Sequence, residues 1–354
     1  MKSVEKEIAD ALRALTDRVG FMEIVSIEQE AEHKSRSSVS APDLIAEFRL
    51  RNKRVTLVCE VKDPGYPRQV RQAISQLHGY IAVQEPDAIP MVAASWLSPE
   101  SRQLCIDGGV NYLDLAGNCR LLLDGVHIER ETSERPKAAA RAFRSIFSPK
   151  SAQVLRVLLR DPARPWKVSD LASAADVSLG QVSNVRSALI ERGWAIADDA
   201  GLHLTDPAAL LDAWREDYEP VKGERTLWYT ILHGRELEQA LRNALVHSSG
   251  RAMLASLSAA HWLAPYVRGG MTYLYADPPA VPGLVDALRL KPVSTGANVQ
   301  IIVPDDPAVL NERVDAGDGI TVAPPVLAYL DLSLMDDRAR EAADHLRERL
   351  LTWH

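Results

Sequence analysis

The sequence predicts an α+β chain of several domains, mixed α/β at both ends with a compact run of short helices between. Three observations predict it. At 354 residues the chain exceeds one ordinary hydrophobic core. Strand-like and helix-like periods alternate over the first ~130 and last ~130 residues, while residues 151–219 keep mostly to the helical period. Charge is also unevenly spread. The whole chain is −7, yet residues 132–192 hold 11 basic and 5 acidic side chains, a net of +6. Such a segment can serve as a local footprint for phosphate, because fields act within a Debye length of ~8–10 Å. A solvated linker and helix face is the alternative reading.

The first domain is expected over 1–131. Val4, Ile8, Leu12, Leu15 and Val19 recur at helical spacing. A polar stretch at 34–40 precedes strand-like runs at 43–50 and 55–62, separated by the polar turn 51–54. Residues 69–83 read as a helix, 90–97 as a buried strand, and 100–107 as a helix ended by Gly108-Gly109. Residues 110–123, with Gly117-Asn118 inside, read as a second hairpin. A basic linker is expected over 132–150, bearing Pro136 and Ser148-Pro149. A second boundary falls at 219–224, with Pro220 and Gly223. In the last domain, 224–354, residues 237–245, 256–266, 323–332 and 338–351 read as helical and 299–303 as a strand.

Composition narrows the function classes. With 46% hydrophobic and 25% charged residues the chain is folded and soluble, and no apolar run approaches the ~18 residues of a membrane span. The charged N-terminus is unlike a secretory signal. Three cysteines, Cys59, Cys105 and Cys119, lack the spacing of a disulfide framework or zinc site, so a reducing cytoplasm is expected, with no membrane partner. His33, His78 and His127 have no ligand-like spacing, and Ser35, Ser37 and Ser38 form no nucleophile motif.

The most specific signal lies at 171–189. Asp176 tolerates a left-handed turn, and Ser178 with Gln181 makes a capping box that starts a second helix. Val182, Val185 and Leu189 return that helix to the core. Ser178, Gln181, Ser183, Asn184, Arg186 and Ser187 then face outward as groups able to reach base edges and phosphates. A hairpin follows over 193–204. This run resembles prokaryotic winged helix-turn-helix regulators, which implies a duplex-DNA partner and a homodimer reading two half-sites. Asp198 and Asp199 at the wing tip repel phosphate, so a protein-interaction module stays open.

In the first domain Asp43 follows Pro42, and Glu60-Val61-Lys62 begins 17 residues later. A hairpin turn at 51–54 brings Asp43 opposite residues 60–62, with Glu60 and Lys62 projecting from one face. Two close carboxylates favour a divalent cation, with Asp43 and Glu60 as ligands and Mg²⁺ needed only where the site is active. These residues, with Gln76 and Tyr80 on the following helix, resemble the PD-(D/E)XK nuclease superfamily and its RecB-like branch. That resemblance implies a restriction-endonuclease-like fold, with Asp43, Glu60, Lys62, Gln76 and Tyr80 as catalytic residues. Asp114 is a further carboxylate in this domain, although its run reads as structural.

Over 150–354, the helix-turn-helix followed by the run 257–267, the run 325–332 and a closing Arg- and Glu-rich helix resembles the AbiEi family. Those are antitoxins of bacterial type IV toxin–antitoxin systems that repress their own promoters, which implies a cognate toxin as partner. A DNA-binding regulator or antitoxin is therefore the first functional expectation. A Mg²⁺-dependent DNase targeted by its winged helix is the second, and an interaction scaffold the third.

Overall fold

The computed structural model describes residues 2–17, 22–29, 41–51, 53–132, 136–247, 250–266 and 270–353. The expected polar stretch 34–40, with His33, Ser35, Ser37 and Ser38, lies outside the described residues. The chain divides into two compact units: Met1–Phe143 with Ser187–Gly193, and Arg144–Arg186 with Trp194–His354.

The first unit runs α1 (Lys2–Thr16), β1 (Met22–Gln29), β2 (Leu44–Leu50), β3 (Lys53–Val61), α2 (Pro67–Gln84), β4 (Ile89–Ala94), α3 (Pro99–Asp107), β5 (Asn111–Asp114), β6 (Cys119–Leu123) and β7 (Val126–Arg130). The seven strands stand in sequence order in one sheet. β1, β2 and β3 pair antiparallel, β4 and β5 add parallel through helical crossovers, and β6 and β7 close antiparallel.

Strand β3 is central and buried on both faces. Leu57, Cys59 and Val61 pack with Ile8 and Leu12 of α1, whereas Val58 packs with Val70, Ala73 and Leu77 of α2. Glu60 and Lys62, at even positions like Val58, therefore stand on the α2-bearing face.

Strands β1 and β7 escape the sequence reading for physical reasons. The β1 register shifts between Ile24 and Ser26, a bulge that breaks the period of two. β7 buries no residue fully, so its five residues carry little apolar pattern.

Between the two sheet regions along the chain come α4 (Lys137–Ile146), α5 (Pro149–Arg160), α6 (Val168–Ala175), α7 (Leu179–Arg192), a hairpin of β8 (Ala195–Ala197) and β9 (Leu202–Leu204), and α8 (Pro207–Glu216). The expected linker thus contains α4, in keeping with its alanines, the strongest helix formers. Asp176 ends α6 at φ 53°, ψ 48°, the left-handed conformation its short polar side chain tolerates. Val154, Leu155, Leu158, Leu171 and Val182 are buried in this region.

The C-terminal part adds β10 (Gly223–Tyr229), α9 (Gly234–His247), β11 (Ala252–Leu254), α10 (Ser256–Leu263), β12 (Thr272–Ala276), α11 (Val281–Ala287), β13 (Lys291–Pro292) and β14 (Val299–Pro304). After a short 3-10 helix (Pro307–Leu310) come β15 (Val314–Asp315), β16 (Thr321–Val322), α12 (Pro325–Ser333) and α13 (Asp337–Leu350). They form a mixed seven-stranded sheet in the order β13-β10-β14-β12-β11-β16-β15, with α10, α12 and α13 packed together. The fold class is mixed α/β throughout, and among the described residues no helix is long and apolar enough to cross a membrane.

Within this second unit polar side chains tie the helices to the sheet domain. Arg156 of α5 donates from Nε to Glu312 at 3.0 Å, both side chains being largely buried. Arg347 of α13 grips both carboxylate oxygens of Asp212 on α8. Tyr218 donates to Asp331 of α12 at 2.6 Å.

Candidate functional site

Two constellations carry chemistry. The first is the outer face of α7. Ser178 caps the helix, its Oγ accepting from Gln181 N at 3.2 Å. Val182, Val185 and Leu189 are buried, so the helix turns its opposite side outward. Ser178, Ser183, Asn184 and Ser187 are exposed there, and Arg186 is half-buried.

Gln181 behaves otherwise. Its Nε2 donates to Ser151 Oγ on α5 at 2.9 Å, rather than completing the capping box or facing outward. The sequence reading placed Gln181 among the outward groups because helical spacing alone does not reveal which neighbour lies within reach.

A groove of about 530 Å³ opens beside this start of α7, edged by Lys150, Ser173, Asp176, Ser178 and Gln181. Lys150 was not singled out from sequence, although the +6 charge of its segment was the available signal. In the hairpin, Asp198 Oδ1 accepts from Ala200 N and Gly201 N at 2.9 and 3.1 Å, so this carboxylate shapes its own turn. Gly201 is required there: φ is 138°, and a Cβ would meet Trp166 backbone at 2.6 Å.

The second constellation lies in the first unit. The β2–β3 register, Leu44 against Cys59, puts Asp43 opposite Glu60. Asp43 Oδ2 accepts from Val61 N at 2.6 Å, and Lys62 Nζ donates to Glu60 Oε2 at 2.6 Å. Glu60 is only 5% exposed. Burial and the Asp43 charge push its pKa up to about 7 against the opposing pull of Lys62. The geometry therefore brings together Asp43, Glu60 and Lys62.

Gln76 and Tyr80 stand on α2, the helix packed on the sheet face that bears Glu60 and Lys62. Among the described residues no hydrogen bond runs from either to the cluster. Gln76 Oε1 is buried without a partner, and Tyr80 packs partly against the α2 core.

Asp114 is accounted for by structure. Its Oδ2 accepts from Leu97 N at 3.1 Å and Asn118 Nδ2 at 2.8 Å, while Oδ1 accepts from Asn118 N at 2.8 Å. It braces the β5–β6 turn. Among the described residues no group of three or more His, Cys, Asp or Glu is placed to hold a metal ion. Asp43 and Glu60 remain two hard-oxygen donors at one point.

Comparison with known proteins adds three findings. Residues 203–352 match the family model described as "Transcriptional regulator, AbiEi antitoxin, Type IV TA system". A search of curated proteins found no match. A solved structure described as EndoMS in apo form is 15% identical over 31% of this chain, with a TM-score of 0.21. This chain spans 45% of that protein's length, and a likeness at that score carries no argument. The family match supports a DNA-binding regulator or antitoxin role in general.

Proposed function

We propose that the chain is a bacterial transcriptional regulator of the antitoxin kind, holding duplex DNA through a winged helix made of α5, α6, α7 and the β8–β9 hairpin. The observation that carries this reading is the division of α7. One side is locked into the core by Val182, Val185 and Leu189, and the other presents Ser183, Asn184 and Ser187 to solvent. Short polar groups in that row suit base edges and phosphates in a major groove. Lys150 and the capped start of α7 would face backbone phosphates, adding a salt-dependent, sequence-independent term. An antitoxin role would imply a cognate toxin as counterpart, and a homodimer would match a two-fold operator.

The test is binding of the full chain to duplex DNA by fluorescence anisotropy over a salt series. The reading expects affinity that falls as salt rises, and light scattering that reports a dimer on DNA. Absence of salt-sensitive binding at low ionic strength removes it.

A second reading is favoured by the convergence of Asp43, Glu60 and Lys62: a metal-dependent DNase directed by the same winged helix. Asp43 and Glu60 would hold a Mg²⁺ ion, which supplies positive charge for a scissile phosphate and a more acidic bound water. Lys62, already on Glu60 at 2.6 Å, would hold its ammonium beside the developing charge. The check is cleavage of single- and double-stranded DNA with Mg²⁺ or Mn²⁺, stopped by chelator and abolished in Glu60→Ala and Lys62→Ala. Wild-type protein without metal-dependent cleavage ends this reading.

A further inference from the structure

A cavity of about 300 Å³ lies wholly within the second unit, and none of its lining residues belongs to α7. It lies where the starts of α4's last turn and α5, the end of α8 and residues 217–222 meet the sheet domain. Its walls are apolar: Phe147 and Trp214 with Val309 and Leu327. The Phe147 and Trp214 rings are stacked, 5.8 Å between centroids and 10° from parallel. A flat ring can extend such a stack, and aromatic contacts of this kind add to simple burial. The size is at the lower end of small-molecule sites.

The wall is also preformed. Tyr218 lines the cavity while its hydroxyl is held by Asp331 at 2.6 Å, and Trp214 is buried. A site fixed before its ligand arrives avoids an ordering cost on binding.

The rim decides the charge of the occupant. The lining holds four carboxylates, Asp217, Glu219, Asp305 and Asp306, against Arg144, Arg156 and Lys222. Arg156 is engaged by a fifth carboxylate, Glu312, at 3.0 Å, and Lys222 by Glu219 at 2.9 Å. Within the lining, four carboxylates against three cations leave a net of −1. We propose that this cavity is a binding site for a flat aromatic amine, its ring against the Phe147–Trp214 wall and its ammonium toward the rim at Asp305. An ammonium near an aromatic face also gains from the ring quadrupole.

The test uses the full chain with three probes that share an indole body: tryptamine, indole and indole-3-acetate, titrated by calorimetry. Tryptamine is expected to bind saturably and at least fivefold more tightly than indole-3-acetate, with indole between. Asp305 is exposed, so Asp305→Lys should leave folding intact and reverse the order of tryptamine and indole-3-acetate. Val221→Trp should plug the cavity and abolish binding of all three. If that variant fails to fold, the Asp305→Lys arm decides. No saturable binding of any probe at millimolar concentration, an unchanged order in Asp305→Lys, or undiminished binding in folded Val221→Trp overturns the proposal.

Discussion

Gln181 and Ser151 are joined by a 2.9 Å hydrogen bond that ties the start of α7 to α5. This sets Gln181 apart from Asn184, three residues on, which stands exposed on the same helix. Gln181→Ala should therefore lower stability by about 0.5–1.5 kcal/mol, the net worth of one hydrogen bond, as read by urea denaturation. It should leave discrimination between DNA sequences nearly unchanged. Asn184→Ala should do the reverse, lowering discrimination by about 1–3 kcal/mol without loss of stability. Equal loss of affinity for every sequence in Asn184→Ala would mean that another face of α7 meets the bases.

Arg347 and Asp212 form a two-pronged pair between α13 and α8, with Arg347 also donating to Tyr329 at 3.1 Å. Both partners are partly exposed, so solvent screens the pair. A double-mutant cycle with Arg347→Ala and Asp212→Ala should give a coupling of about 0.5–1 kcal/mol in denaturant unfolding. A coupling of zero would make the bidentate geometry energetically irrelevant.

Asp114 accepts three hydrogen bonds in the β5–β6 turn and is 1% exposed. Asp114→Ala leaves those donors buried without partners and should destabilise the protein by about 2–4 kcal/mol. Binding of Mn²⁺, followed calorimetrically in the folded variant, should match wild type. A weakened Mn²⁺ affinity would add Asp114 to the ligand set.

Asp331 predicts a pH effect of definite sign. Burial raises its pKa, although Tyr218, Tyr275 and Ser256 all donate to it. The folded state then holds the proton more tightly than the unfolded state. Its contribution to stability is complete below the ordinary carboxylate pKa of about 3.9 and is lost as pH rises through the raised folded value. Asp331→Asn should remove that dependence, so the melting temperature should fall less between pH 4 and pH 7 than in wild type. Parallel curves for the two proteins would contradict the assignment.

Much of the architecture is legible from local pattern. The polar residues around Arg51 announce a hairpin, and counting from it places Asp43 opposite residues 60–62, which the observed register narrows to Glu60. The α7 core face is legible because Val182, Val185 and Leu189 repeat at the helical period. The β1 bulge and the weakly apolar β7 are not legible, since each lacks an unbroken period of two.

The sequence by itself determined which residues share a face: Glu60 with Lys62 on a strand, and Val182 with Val185 and Leu189 on a helix. It did so because those relations depend only on the backbone periods of 2 and 3.6. The tertiary structure alone decided what each polar side chain touches. Gln181 turns to Ser151, and Gln76 makes no hydrogen bond to the carboxylates. Hydrogen bonds reach about 3 Å, so their partners depend on which distant segment packs within that distance, and residues 30 or more apart in the chain leave no local signal of it.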